Sequence, residues 1–108
     1  MSSYLFIESR DPCEAMRASL SYDLAVELVR AGNQVAIFLV QNGVFAARSG
    51  VKSALLAGAA DAGVEVLADE FSLRERGIVN SRVLPQVRPA PLDFVIDRLA
   101  AGSKTIWN

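Results

Sequence analysis

The chain has 108 residues, of which 52% are hydrophobic and 21% are charged. A chain of this length forms about one domain, and its composition is far from that of disordered segments, so we expect a single folded domain over residues 1–108. Eleven Lys and Arg residues nearly balance twelve Asp and Glu residues. This charge balance argues against a nucleic acid or an anionic membrane as the partner.

The chain has one cysteine and no histidine, so it can form neither an intramolecular disulfide nor the usual zinc ligand sets. It also contains no Gly-x-Gly-x-x-Gly or P-loop pattern, and we therefore predict no metal and no cofactor. The N-terminus lacks the basic segment and the cleavage site of an export signal. The longest apolar run, residues 35–40, is far shorter than the roughly 20 residues that cross a bilayer. We expect a soluble, cytoplasmic protein.

Residues 4–7 are continuously apolar, which is typical of a strand that is covered on both faces. Asp11, Pro12 and Glu14 then provide an N-cap, a proline for the first helical position and an acid three residues after the cap, so they predict a helix start. Gly32 is the predicted end of this helix. The predicted apolar face of the helix repeats every four residues, at Met16, Leu20, Leu24 and Leu28, and is joined by Ala25 and Val29.

A second buried strand is predicted over residues 34–40, because this segment is apolar almost throughout. Residues 41–43 predict a turn, and residues 44–48 predict a short helical segment. A second helix is predicted over about residues 52–62, followed by a third strand over residues 64–68. The alternation of strands and helices predicts a parallel sheet with right-handed crossovers.

The last third of the sequence has a weaker pattern. Residues 71–76 predict a short helix, and residues 78–90 predict mostly loop, with a short edge strand near Val83 as an option. A helix is predicted over residues 91–101 from the apolar stripe Leu92, Val95, Ile96 and Leu99. Residues 104–107 complete the sheet. The predicted fold is a three-layer α/β/α sandwich with a mostly parallel sheet of four to five strands.

Ligands of open parallel sheets bind beyond the carboxyl ends of the strands, so the loops at residues 9–14, 41–44 and 69–77 are the candidate site. Cys13 falls in the first turn of the predicted first helix, where the helix dipole favours a reactive thiolate. The neighbouring acids Asp11 and Glu14 oppose that effect. We prefer the interpretation that Cys13 is an inert, space-filling residue, with a nucleophile as the alternative.

Three further features of the sequence near these loops are the Arg74–Arg76 segment, the adjacent acids at 69 and 70, and the single tryptophan. The Arg74-Glu75-Arg76 segment is interpreted first as a solvated or interfacial charge cluster, with anion binding by Arg76 as the alternative. Asp69 and Glu70 are not expected to act as a catalytic pair, because successive side chains of an extended chain point apart. Trp107 is expected to pack against the core or against a neighbouring subunit, since its indole ring gains much from burial.

A family resemblance covers most of the chain, from Tyr4 to Trp107. Pro12 in the first loop, Leu24-Ala25 in the first helix, the segment Phe38–Val44 and the helix and strand of Leu92–Trp107 resemble the DsrE/DsrF-like group of sulfur-relay proteins. The resemblance implies a small three-layered α/β subunit that assembles as a trimer or hexamer. It also implies sulfur-relay proteins as partners. Many members carry, after the third strand, a cysteine that accepts a persulfide and passes it on.

The sequence departs from that pattern at the cysteine itself. Counting back from Arg76-Gly77, which resembles the end of the family's loop, the cysteine position falls on or near Asp69. A carboxylate cannot hold a sulfane sulfur, so the sulfurtransferase activity does not carry over at this position. The predicted binding residues are those at the three loops: Pro12, Asn42, Gly43, Asp69 and Arg76.

Three hypotheses follow from this departure. The first is a non-catalytic or divergent sulfur-relay subunit that binds a small ligand or a protein partner. The second is an active sulfur carrier in which Cys13 is the catalytic persulfide acceptor. The third is a structural subunit that associates with an active paralogue. The high apolar content of so short a chain also predicts a homo-oligomer, because excess apolar surface can be buried between subunits.

Overall fold

The computed structural model describes residues 2–11, 16–49 and 54–107. Five strands form one sheet in the order β4-β3-β2-β1-β5, and every neighbouring pair is parallel. The strands are β1 Ser3–Glu8, β2 Gln34–Leu39, β3 Glu65–Asp69, β4 Val87–Ala90 and β5 Lys104–Trp107. The helices are α1 Met16–Arg30, α2 Ala54–Asp61, α3 Glu70–Glu75 and α4 Asp93–Ala100, with 3₁₀ helices at Gln41–Ala47 and Asn80–Arg82.

Helices cover both faces of this sheet, which confirms the three-layer α/β/α prediction. Because side chains alternate along a strand, Phe6 and Ile37 point to one face, where they pack with α1 and α2. We call this side the α1–α2 face. Leu5 and Phe38 point to the opposite side, the α4 face, where the Phe38 and Phe94 rings stack with their centroids 5.9 Å apart. The fully parallel sheet explains the apolar runs of β1 and β2, since both of their faces are buried.

The predicted apolar face of α1 is only partly correct. Leu20 and Leu24 are 60% and 47% exposed, whereas Tyr22 and Ala25 are buried against the sheet. A row at every fourth residue drifts around a helix of 3.6 residues per turn, so it does not stay on the buried side. Small Ala25 allows close approach to the sheet and Tyr22 fills the space beside it.

The apolar stripe of α4 is largely exposed as well. Val95 is buried, but Leu92, Ile96 and Leu99 are 57%, 58% and 51% exposed. The helix instead turns Phe94 towards Phe38 and Arg98 towards Glu65, with which Arg98 forms an ion pair. One side of α4 therefore presents a row of three large apolar side chains on the protein surface.

The prediction of loop over residues 78–90 is wrong at its end, because residues 87–90 form β4. Pro89 argued against a strand here, because proline lacks the N–H that a central strand needs for its hydrogen bonds. Strand β4, however, lies at the edge of the sheet, where proline is tolerated. The optional strand near Val83 is also wrong: Val83 forms an isolated antiparallel bridge with Arg48. Residues 41–47 form one 3₁₀ helix instead of a turn followed by a helix at 44–48. Within the described residues, no helix has the length and apolarity needed to span a bilayer.

Candidate functional site

The carboxyl ends of the central strands meet at one edge of the sheet. Glu8 pairs with Leu39, and Leu39 pairs with Ala68, so the loops after β1, β2 and β3 leave the sheet side by side. This edge holds four of the predicted binding residues: Asn42, Gly43, Asp69 and Arg76. The other two predicted site residues, Pro12 and Cys13, lie outside the described residues.

Gly43 allows the loop after β2 to lie directly against the end of β1. A Cβ atom at this position would overlap the carbonyl oxygen of Glu8 and would lie 3.0 Å from its carbonyl carbon. The same Glu8 oxygen accepts a hydrogen bond of 2.9 Å from the N–H of Val40. The Glu8 side chain is fully buried. The sequence indicates Gly43 as a turn residue, whereas its structural role is this close backbone contact.

Ser72 joins the loop after β2 to the loop after β3. Its N–H and its hydroxyl both donate to Oδ2 of Asp69, at 3.1 Å and 2.7 Å, so Asp69 is the N-cap of α3. The Ser72 hydroxyl oxygen in turn accepts a 2.8 Å hydrogen bond from the N–H of Gln41. Gln41 has a φ of 51°, a left-handed conformation that is uncommon for residues other than glycine. The hydrogen bond from its N–H helps to hold this strained backbone in place.

Arg76 makes a second connection between the same two loops. Its Nε donates to Oδ1 of Asn42 at 3.1 Å, and its Nη1 donates to the carbonyl oxygen of Ser72 at 3.4 Å. The guanidinium carbon also lies 5.9 Å from the centre of the Phe45 ring. Arg76 is thus a half-buried, oriented side chain and not a fully solvated one. An interfacial position of the Arg74-Glu75-Arg76 cluster stays a prediction.

These two connections border an open cavity of about 480 Å³ at the carboxyl edge. Two large aromatic side chains project beside it: Phe71 is 60% exposed and Trp107 is 67% exposed. The prediction that Trp107 packs against the core is wrong, while its packing against a neighbouring subunit stays a prediction. The remaining lining residues are Val40, Gln41, Asp69, Ser72, Glu75 and Arg76.

Sequence reasoning placed the edge but missed several of these residues. Asp69 followed by the acidic Glu70 is a sequence signal for a helix N-cap, and since a capping side chain accepts from the N–H two or three residues later, it could have identified Ser72. Phe71 had no such signal, because an aromatic residue in the first turn of a helix is usually assigned to the core. Gln41 stands out only through its backbone conformation.

Comparisons with known proteins identify the family of this chain. The sequence model of the DsrE/DsrF-like family matches residues 2–107. The chain belongs to the DsrE/DsrF-like family. No curated protein sequence matches it.

Solved structures share the fold of this family member at low sequence identity. The ychN protein from E. coli has a TM-score of 0.90 and 17% identity, and both chains are covered completely. MTH1491 from Methanobacterium thermoautotrophicum, a protein of unknown function, has a TM-score of 0.87 and 18% identity, again with complete coverage of both chains. BT1422 from Bacteroides thetaiotaomicron, a conserved protein of unknown function, has a TM-score of 0.78 and 14% identity, with 98% of this chain and 95% of that chain covered.

In this DsrE/DsrF-like chain, the polar groups at the end of β3 connect the two loops. Ser72 is 4% exposed, and its hydroxyl group donates to Asp69 and accepts from the N–H of Gln41. The Asp69 carboxylate is engaged in capping α3. In the described part of the chain, no three acidic, cysteine or histidine side chains are grouped closely enough to hold a metal ion. Arg76 and the two exposed aromatic residues remain available to contact a ligand.

Proposed function

We propose that this chain is a divergent, non-catalytic member of the sulfur-relay family: a cytoplasmic homo-oligomer whose carboxyl-edge cavity binds a small ligand or a protein partner. The observation that carries this proposal is Asp69. The resemblance to the family puts a persulfide-bearing cysteine on or near this position, and Asp69 instead uses its carboxylate to cap α3 beside an open cavity. A carboxylate cannot form the S–S bond of a persulfide, whereas the open cavity beside Asp69 can still hold a ligand.

The alternative is a sulfur carrier in which Cys13 accepts the sulfur. In that reaction the Cys13 thiolate would attack the outer sulfur of thiosulfate, forming an S–S bond as the donor's S–S bond breaks and sulfite leaves. The sequence position of Cys13, shortly after the end of β1 at Glu8, keeps this alternative open. The two functions differ in one measurable respect, which is whether the protein becomes covalently loaded with sulfur.

Intact-mass spectrometry after incubation with thiosulfate separates the two functions. The binding function predicts that the wild-type protein keeps its unmodified mass. Gain of one sulfur atom by the wild-type protein, and no gain by Cys13→Ser, would instead establish the carrier. A cysteine-bearing sister protein that co-purifies with the chain would support the third hypothesis, a structural subunit of a mixed assembly.

Homo-oligomerisation, as a trimer or hexamer, is supported by the exposed apolar row of α4, Leu92, Ile96 and Leu99. Rows of this kind usually mark an interaction surface on a small soluble protein. Analytical ultracentrifugation should find a trimer or larger species at micromolar concentration, and Ile96→Asp should shift it towards the monomer. Asp97→Asn, a change on the neighbouring exposed position, is the matched control and should leave the assembly intact. A wild-type monomer at every concentration would refute the oligomer.

A further inference from the structure

We infer that the carboxyl-edge cavity takes a small organic monoanion with a flat apolar body, that is, a ligand of the aromatic carboxylate class. This inference rests on the proposed binding function and specifies the ligand. It depends on three features of the cavity: an oriented guanidinium, two exposed aromatic walls, and two acidic residues that limit how much negative charge the ligand can carry.

Arg76 is the expected contact for the acid group. Its Nε and Nη1 are held by Asn42 and by the carbonyl oxygen of Ser72, so the orientation of the guanidinium is set before a ligand arrives. Across the described residues, the ion pairs involve Glu65 with Arg88 and with Arg98, and Arg76 has no carboxylate partner within 4.0 Å. A fixed guanidinium whose charge is not already paired favours an anionic ligand, because little side-chain freedom is lost on binding.

Phe71 and Trp107 are the expected contacts for the apolar body. Both side chains are more than half exposed and line the same cavity, with Val40 beside them. Aromatic side chains of this size gain free energy when a flat ring stacks on them, and they lose little conformational entropy because only two torsions must be fixed. An aliphatic chain would cover less of either ring than a planar group.

The charged residues of the cavity limit the charge that the ligand can carry. Asp69 and Glu75 line the cavity together with Arg76, so a phosphate dianion would meet stronger repulsion from the two carboxylates than a monoanion would. An ammonium ligand would be attracted by the carboxylates but repelled by Arg76, which is half-buried, whereas Glu75 is exposed and its charge is screened by solvent. Asp69 Oδ2 already accepts two hydrogen bonds from Ser72, which reduces its capacity to accept one from such a cation. A single negative charge fits best.

The chain provides its own reporter for this site, because Trp107 is its only tryptophan. We propose titrating the protein with phenylacetate while exciting the indole selectively, and repeating the titration with phenyl phosphate and with 2-phenylethylamine. Phenylacetate should change the Trp107 emission saturably, and the other two probes should bind at least about fivefold more weakly, as expected for one unfavourable charge contact. Amide chemical shifts of residues 40–42 and 69–76 give a second readout in the same protein.

Arg76→Gln tests the assigned contact. It should weaken phenylacetate binding by about tenfold or more, because a charge-assisted hydrogen bond is lost, while Arg76→Lys should retain part of the affinity. Arg82→Gln is the matched control, since Arg82 is an exposed arginine of the second 3₁₀ helix and does not line the cavity; it should bind as the wild type does.

Three outcomes would overturn the inference: no response to phenylacetate in either readout, tighter binding of 2-phenylethylamine or phenyl phosphate, or an unchanged affinity of Arg76→Gln. These outcomes are distinct from failure of the proposed function. Failure of the function appears as sulfur loading of the wild-type protein by intact mass, whereas a protein that stays unmodified and also ignores phenylacetate disproves the ligand class alone.

Discussion

The scaffold of the cavity and its walls are built in opposite ways. We define the scaffold as Gln41, Gly43, Asp69 and Ser72. It consists of hydrogen bonds that join the loops after β2 and β3, and of the backbone contact between Gly43 and the end of β1. The walls, Phe71, Arg76 and Trp107, are half-buried or exposed and face the open space. One set of residues therefore holds the loops in place, and another set is available to contact a ligand. Substitutions in the scaffold should mainly lower stability, and substitutions in the walls should mainly weaken ligand binding.

Gly43→Ala should have the largest effect, and it should act on stability. The added Cβ would overlap the Glu8 carbonyl oxygen, and since that oxygen belongs to the backbone at the end of β1, it cannot move aside without disturbing the β1–β2 pairing. We expect a loss of more than about 3 kcal/mol in the free energy of unfolding, measured by urea denaturation.

Gly58→Ala is the control for that substitution. Gly58 lies within α2, and a Cβ there would meet no atom within 4 Å. The helix propensity of alanine should leave stability unchanged or raise it by up to about 1 kcal/mol. A Gly43→Ala protein as stable as Gly58→Ala would show that the loop after β2 is not in close contact with the end of β1.

Ser72→Ala should have the next largest effect. The substitution removes the hydroxyl that donates to Asp69 and accepts from Gln41, which leaves the Gln41 N–H without this partner. We expect a destabilisation of about 1–3 kcal/mol by urea denaturation. Ser81→Ala, at an exposed serine of the second 3₁₀ helix, should change stability by less than about 0.5 kcal/mol. Equal effects of the two substitutions would contradict the role of Ser72 as a connection between the loops.

Phe71→Ala should have the smallest effect on stability and a clear effect on binding. Its ring is mostly exposed, so the free energy of unfolding should change by less than about 1 kcal/mol, while loss of the stacking contact should weaken phenylacetate binding by about threefold to tenfold. Val79→Ala, an exposed apolar residue that does not line this cavity, should alter neither quantity. A Phe71→Ala protein that loses stability and keeps its affinity for phenylacetate would show that Phe71 supports the fold and does not contact the ligand.

The order of the elements could be predicted because buried parallel strands leave an unambiguous pattern. The continuous apolar runs of β1 and β2 require burial on both faces, and the helix between them requires a parallel crossover. The strand β4 could not be predicted, because Pro89 contradicts a central strand and nothing in the sequence states that this strand lies at the edge. The faces of α1 and α4 were predicted only in part, since periodicity shows that a helix has an apolar side but not how much of that side another element covers.

The sequence predicts which loops form the candidate site, but not the hydrogen bonds that connect them. Topology brings the ends of β1, β2 and β3 together, and this places Asn42, Gly43, Asp69 and Arg76 at one edge. The role of Ser72 depends on a hydrogen bond to Gln41, 31 positions away in the sequence, which no local pattern encodes. Trp107 seemed suited to the core because of its size, yet the short strand β5 leaves it exposed at the end of the sheet.

We propose that the carboxylate at position 69 excludes persulfide chemistry from the carboxyl edge. The most direct test loads two proteins with thiosulfate and compares their intact masses: the Cys13→Ser variant, and the same variant with Asp69→Cys added, while urea denaturation verifies that both are folded. We predict that only the protein with a thiol at position 69 gains a sulfur atom, and that brief treatment with cyanide removes it. A folded Asp69→Cys protein that gains no sulfur atom would contradict this proposal, because the missing thiol would then not be what excludes the chemistry.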